Sequence, residues 1–243
     1  MHSPEFPNII TVLADLFPGT PFAAFLLAQV NVLYSVLAAS LLGALVFAVS
    51  RRAVMIPGRR QCLVEMAVEG LDNFVCGIIG SRGRTYTPFI GTLFLYILFM
   101  NLLGFIPFMK SPTASWSTTL ALAICVFCYV QFTAFKELGV RGYLDHLMGK
   151  PRGVIALSII MPIFMLISHV IAELVRPITL SLRLRSNIWG DDLMMVLFAG
   201  FGLKGLPILF LNTMISMFTA TIQAFVFAFL TTIYLALVLI HED

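Results

Sequence analysis

Charged side chains are scarce in this sequence. Of its 243 residues 11% are charged and 60% are apolar, whereas about a quarter of the residues of a soluble domain are charged. This scarcity excludes an ordinary soluble domain and indicates an integral membrane protein. The alternating pattern of barrel strands is also lacking, so helices must satisfy the backbone within the membrane. We therefore predict an all-α, polytopic membrane protein.

Signatures of the common enzyme and metal sites are absent as well. The sequence contains no glycine-rich phosphate loop, nucleophile elbow or zinc motif. Its four cysteines lack the spacing of a disulfide framework, and we interpret them as small buried hydrophobic residues. We expect no metal and no cofactor, and the net charge of +3 is too small to indicate nucleic acid. No basic region followed by a cleavage site opens the sequence, so we expect no removable signal peptide.

Long apolar runs define the predicted helices, because about 20 apolar residues span the hydrocarbon core. We predict an external N-terminal segment (1–29), a first transmembrane helix (30–50) and an interfacial amphipathic helix (61–82). Two further transmembrane helices (86–109 and 113–136), a tilted helix (154–190) and a tilted partner helix (205–240) follow. The last segment has 36 residues without a formal charge, which is about 54 Å of helix against about 30 Å of hydrocarbon. It must tilt steeply, break or include a turn. We predict vertical transmembrane helices plus a long, strongly tilted helical hairpin.

Basic residues are concentrated on one side of the predicted spans. Ten of the fifteen lie after the first span, before the second or after the third: Arg51, Arg52, Arg59, Arg60, Arg82, Arg84, Lys136, Arg141, Lys150 and Arg152. By the positive-inside rule that side is cytoplasmic. We therefore expect the N terminus outside and the C terminus in the cytoplasm. The abundant cytoplasmic arginines favour a bacterial inner membrane over that of an organelle.

The two long helices carry polar residues along one face each. In the first, spacings of 4, 3, 4, 3 and 4 connect His169, Glu173, Arg176, Leu180, Arg183 and Asn187. Such spacings place side chains on a single helical face. Arg185 points away from it. In the second helix a similar stripe comprises Asn212, Ser216, Thr219, Gln223, Thr231 and Tyr234.

Ionisable groups at membrane depth need partners or water, since each costs about 3 kcal/mol on insertion scales. We interpret the stripe as a proton or ion pathway, with His169 and Glu173 nearer the cytoplasm and Asp191 and Asp192 nearer the outside. No acid of this chain lies close to Arg183 in sequence. Its partner is therefore expected on another subunit.

Three alternatives remain open from the residues alone. Glu173 and Arg176, one turn apart, could simply neutralise each other. A secondary transporter or ion channel could use the same buried charges, although the sequence shows no internal repeat. An intramembrane enzyme could use His169 and Glu173, although a metalloprotease helix needs a second histidine and none is nearby.

Three stretches resemble a known family. "RPITLSLRLRSNIWGDD", "TATIQAFVFAFLTTIYLAL" and "YTPFIGTLFLYILFMNLLGFIP" are similar to subunit a of the F-type ATP synthase, the stator of its rotary proton channel. The resemblance implies that the chain couples proton flow to ring rotation and ATP synthesis, without an active site for ATP chemistry of its own. It also implies the ring of subunit c, the peripheral stalk subunit b and other ATP synthase subunits as partners, within membrane lipid. Protons are expected rather than sodium ions.

The resemblance also assigns roles to particular residues. It implies that Arg183 is the stator arginine that faces the ring carboxylates, with Asn187 one turn later and Gln223 on the facing helix close to it. Asp192 falls where the family often has an acid or histidine that lines the outer channel. Ser216, however, stands where other members have a histidine or an acid.

The inner channel also departs from the pattern of the family. His169 stands where many members have glutamate, and Glu173 lies one turn later. We therefore expect the acidic group of the inner channel at Glu173 or shared with His169.

Overall fold

The computed structural model describes residues 9–16, 21–51, 58–106, 109–148 and 157–239, without the side chains of some residues within the helices. Eight α-helices occur in these ranges: α1 (Ile9–Asp15), α2 (Pro21–Ala28), α3 (Val30–Ser50), α4 (Arg59–Ile79), α5 (Thr87–Leu103), α6 (Trp116–Met148), α7 (Leu157–Ala199) and α8 (Leu206–Leu239). Three short 3-10 turns precede α5, α6 and α8 (Ser81–Thr85, Pro112–Ala114 and Gly202–Gly205). No strand occurs in the described ranges.

Three of these helices are long and apolar enough to cross a membrane, at Val30–Ala48, Trp116–Glu137 and Leu206–Leu239. A fourth, Thr87–Leu103, is apolar but shorter. Many large apolar side chains on α3, α6 and α8 are exposed, as expected where lipid replaces water. The chain is therefore an all-helical polytopic membrane protein, which confirms the predicted fold class.

Helix α5 lies in the centre of the core. Ile90, Leu93, Ile97 and Met100 recur at spacings of three and four and are buried, so one face of α5 is continuous apolar surface. Opposite them α8 presents small residues one turn apart, Ala220, Ala224 and Ala228, which are also buried. Small side chains let the helix backbones approach closely, and this packing replaces the hydrophobic effect as the source of stability between helices in lipid.

The junction between α4 and α5 is held by the Asp72 carboxylate. The Thr87 hydroxyl donates to it at 2.7 Å, and the Arg84 Nε donates to its other oxygen at 3.2 Å. Between them the chain turns at Gly80, which has a φ of 88°, a conformation that favours glycine. Two residues after Asp72, Phe74 packs on the rings of Phe225 and Phe229 of α8. This junction fixes α4 beside the core.

Replacing Asp72 with asparagine is expected to destabilise the protein slightly at pH 7. The hydrogen bond from Thr87, helped by Arg84, holds the pKa of Asp72 below its ordinary value. A carboxyl whose pKa is lowered on folding contributes stability that is present above its unfolded pKa and is lost as the pH falls through the folded pKa. Thermal unfolding between pH 3 and 7 measures this.

The matched control is Glu69→Gln, an exposed carboxylate on the same helix. The difference between Asp72→Asn and the native protein should vanish towards the acid end of the series, and Glu69→Gln should show no such trend. Equal melting temperatures for native and Asp72→Asn protein at pH 7 would contradict the prediction.

Two helices extend beyond the predicted segments. Helix α6 starts at Trp116 and continues to Met148, with a non-helical residue at Gly139 (φ 65°, ψ 171°). Helix α7 passes through Pro177 and ends at Ala199 rather than at 190. The apolar residues from 193 to 199 prolong it, and the chain leaves the helix before Gly202, whose φ is 61°.

Candidate functional site

Helices α7 and α8 run antiparallel, and three polar contacts join described residues of the two helices. The first along α7 is the cation–π contact of Arg176 with Tyr234. The second is the hydrogen bond between the side-chain amides of Asn187 and Gln223. The third is the hydrogen bond between the Ser216 hydroxyl and the Asp191 carboxylate. Residue numbers rise along α7 while they fall along α8. The two stripes predicted from the sequence therefore face each other along one seam, which we call the polar seam.

In the middle of the polar seam the Asn187 Nδ2 donates to the Gln223 Oε1 at 2.9 Å. Gln223 is buried and Asn187 is half-buried. Nearer the start of α7 the guanidinium carbon of Arg176 lies 4.9 Å from the centre of the Tyr234 ring. A cation over an aromatic face is attracted by the ring quadrupole. Both contacts fix the register of the hairpin.

Arg183 lies on α7 between these two contacts, but its side chain is exposed. Leu180 and Leu184 on either side of it are buried, so the stripe follows the border between the packed and the open side of the helix. Among the residues that the structure describes, none forms a hydrogen bond or ion pair with Arg183. An arginine at membrane depth is costly unless it is paired. Within the described part of the chain, the guanidinium of Arg183 therefore has no counter-ion.

A buried polar cluster occupies the end of the polar seam beyond Asn187. The Ser216 hydroxyl donates to the half-buried Asp191 carboxylate, and Ser216 itself is 1% exposed. Asn212 lies one turn before Ser216 on α8. The Asp191 Oδ2 and the Asn212 Nδ2 are buried without a hydrogen-bond partner among the described residues. Such groups in native proteins are satisfied by water or a ligand. Asp192 next to the cluster is half-buried.

Arg185 turns to the opposite side of α7 and packs against α6. Its guanidinium carbon lies 4.8 Å from the centre of the Trp116 ring, at the first residue of α6. The two arginines therefore have different surroundings although they are two residues apart. Arg185 is half-buried in contact with its own chain, whereas Arg183 is exposed.

Arg185→Ala is expected to loosen the packing of α7 on α6 while transport continues. The lost cation–π contact corresponds to about 1 kcal/mol of stability. Thermal unfolding and the amount of assembled protein in the membrane measure this loss. Arg185→Lys, which keeps a cation over the ring, should recover part of it. Loss of transport with full assembly would contradict this prediction.

The side chains of His169 and Glu173 lie outside the described part of the structure. Their backbone belongs to α7, in the turns before Arg176. Among the described residues, no group of three or more histidine, cysteine or acidic side chains could hold a metal ion.

One buried polar network was not predicted from the sequence. The amide of Asn101 in α5 donates to the Ala220 carbonyl at 3.2 Å and accepts a hydrogen bond from Thr113 at 2.8 Å. Ser111 joins the network through Thr113 and the Met100 carbonyl. Asn101 reaches α8 between the positions of Ser216 and Gln223. The sequence feature that could have predicted this network is the uncharged amide of Asn101 within the apolar run at 86–109.

An all-helical membrane protein with an exposed arginine beside a polar seam has the features expected of the class of membrane proteins that move ions. Within this class, the sequence model of the ATP synthase A chain matches residues 32–236. A protein named ATP synthase subunit a from Protochlamydia amoebophila is 38% identical over 243 residues, 96% of this chain and 89% of that protein. Proteins of the same name from Moorella thermoacetica (39% identity, 79% of this chain and 82% of that protein) and Nitratidesulfovibrio vulgaris (37% identity, 84% of each) are similar too. The chain belongs to the ATP synthase subunit a family of the membrane sector, which confirms the resemblance.

Proposed function

We propose that this chain passes protons through two half-channels to and from the carboxylates of a ring of subunit c, and so couples proton flow to ring rotation and ATP synthesis. The observation that carries the proposal is the exposed guanidinium of Arg183 on a helix of the membrane sector, without an ion partner among the described residues. A passing carboxylate of another subunit would supply the missing charge.

Arginine suits this role because its guanidinium stays protonated in proteins. A proton therefore cannot cross directly from one half-channel to the other through Arg183. Beside it a ring carboxylate is held in its ionised form, since an opposite charge close by favours that form. Away from it the carboxylate must take a proton before it can enter lipid, because an ionised acid in hydrocarbon is costly. The ring can therefore turn only when those of its carboxyl groups that face lipid are protonated.

The outer half-channel is proposed at the Asp191 end of the polar seam. Asp191, Ser216 and Asn212 bring buried polar atoms together there, and buried polar groups without protein partners attract water. Asp191 lies eight residues after Arg183, which is about 12 Å along the helix. Its carboxyl group would carry the proton that a histidine or acid at position 216 carries in other members. Asp192 beside it would line the same entrance.

The inner half-channel is proposed at the other end of α7, with His169 and Glu173 as proton carriers and Arg176 and Tyr234 beside them. The contact of Arg176 with the Tyr234 ring keeps this cation on the α8 side. Glu173 is one turn from Arg176 along the helix. A carboxyl group close to a cation releases its proton readily, and a residue that passes protons to the cytoplasm must do so.

Glu173→Gln is therefore expected to slow proton release to the cytoplasm severalfold, unless His169 carries the proton alone. Proton flux through membrane vesicles after acidification of one side measures this, in Glu173→Gln, His169→Gln and the double variant. The double variant should be the slowest of the three. Unchanged flux in all three would remove both residues from the inner channel.

The proposed surroundings follow from the charges between the helices. With the arginine-rich segments in the cytoplasm, the N terminus lies outside and the C terminus inside a bacterial inner membrane. The peripheral stalk subunit b would hold the chain still while the ring turns. The partners of a rotary stator are the ring, this stalk and the other ATP synthase subunits.

The test of this function is purification of the complex that contains the chain, followed by reconstitution into liposomes. The expected result is a complex with a small carboxylate-bearing ring subunit, and proton uptake that a pH-sensitive dye reports when ATP is added. A chain that purifies without a ring and moves protons alone would overturn the rotary proposal in favour of a transporter or channel.

A further inference from the structure

A cavity of about 360 Å³ opens between the 3-10 turn that precedes α5 and the middle of α6. Its walls include Arg82, Tyr86, Tyr129, Phe132, Lys136 and Glu137. None of these residues belongs to the polar seam on α7 and α8. The cavity is in the volume range of small-ligand sites, which is about 300 to 1,000 Å³.

The charge of this cavity is positive on balance. Lys136 and Arg82 are exposed at its edge, and Lys136 forms no ion pair with any described residue. The carboxylate of Glu137 is half-buried and accepts a hydrogen bond from the Tyr86 hydroxyl. The walls thus carry two cationic side chains and one carboxylate. An anion is the ligand that this balance favours.

The remaining walls suit a molecule that is polar at one end and apolar at the other. Tyr129 stacks on Phe89 with ring centres 3.7 Å apart and planes 12° from parallel, and the Phe132 ring is 68% exposed. Tyrosine is enriched where the headgroups meet the hydrocarbon. Arg82 precedes one apolar helix and Lys136 ends the apolar part of another, so the cavity lies at the level of a membrane surface.

We propose that this cavity binds the headgroup phosphate of an anionic phospholipid, with an acyl chain along Phe132. Basic pockets between membrane helices on the cytoplasmic side recognise such headgroups. Lys136 and Arg82 contact the phosphate, and the Tyr129 ring flanks the glycerol. Glu137 opposes the anion and limits its affinity.

The test uses the detergent-purified complex with a photoactivatable phosphatidylglycerol and, in a parallel sample, phosphatidylcholine of the same acyl chains. Mass spectrometry quantifies lipid attached to the peptide that contains residues 129–137. Lys136→Gln should weaken phosphatidylglycerol labelling about fivefold, since one basic residue near the membrane surface contributes about a fivefold factor in affinity. Glu137→Gln should strengthen it, because a repulsive charge is removed while the acceptor for Tyr86 is kept.

Arg51→Gln is the matched control, because Arg51 is an exposed cation at the end of α3 that does not line the cavity. It should leave the labelling of this peptide unchanged. If Lys136→Gln weakens the lipid labelling and Glu137→Gln strengthens it, misfolding cannot explain both results. Equal labelling by phosphatidylcholine, an equal loss with Arg51→Gln, or no labelling of this peptide would overturn the proposal. Displacement of the lipid by millimolar inorganic phosphate would show a site for free phosphate and would overturn the lipid assignment.

Discussion

Arg183→Ala is expected to reduce proton-coupled ATP synthesis to the background of membranes without the complex. The side chain is exposed and makes no ion pair within the described part of the chain, so its removal leaves no buried partner behind. The fold and the assembly should survive. In the proposed mechanism, however, the ring carboxylate loses the charge that keeps it ionised between the half-channels. Inverted membrane vesicles report ATP synthesis driven by a proton gradient, and a blot for the chain reports assembly.

Arg183→Lys tests whether the site needs only a positive charge or a cation that cannot lose its proton. An ammonium group in a poorly hydrated site can lose its proton, whereas a guanidinium cannot. Passive proton leak should therefore rise in the lysine variant, and coupled transport should be low although a cation is still present. Arg185→Ala, which removes the same kind of side chain two residues away, serves as the control. Near-normal coupling in Arg183→Ala would remove this residue from the mechanism.

The sequence predicted which faces of the two long helices are polar, but not how they fit together. A spacing of three and four residues defines a face, and the polar residues of both helices do meet in the structure, as Asn187 and Gln223 show. The register between two helices depends on packing over their whole length. The contacts of Asp191 with Ser216 and of Arg176 with Tyr234 therefore required coordinates. The proposed roles of these residues stay predictions.

Two other features illustrate the limits of sequence patterns. Asn101 is a single amide within an apolar run, and its role in joining α5 to α8 depends on Thr113, a residue beyond the end of its own helix. The predicted tilted helix ends at 190, directly before two aspartates, which are poor helix formers. The helix nevertheless continues to Ala199, because the leucine, methionine and alanine residues that follow the aspartates have high helix propensity.

Asp191→Asn is expected to lower proton transport at least tenfold with the complex assembled. The asparagine side chain has nearly the same size and can still accept the hydrogen bond from Ser216, so packing at the outer end of the polar seam is kept. What disappears is the group that can take up and release a proton. A relay without such a group must pass the proton through water alone, and general acid–base groups typically contribute factors of 10² to 10⁴.

The double variant Asp191→Asn with Ser216→Glu tests this reasoning directly. It returns an ionisable group to the same contact from the opposite helix, and transport should recover in part. Ser216→Ala alone keeps the acid and removes only the hydrogen bond, so its loss should be small. If Asp191→Asn transports normally, or if Ser216→Glu gives no recovery while the complex assembles, proton entry does not pass through this contact. Asp192, which follows Asp191 and is proposed to line the same entrance, would then be the next acid to test.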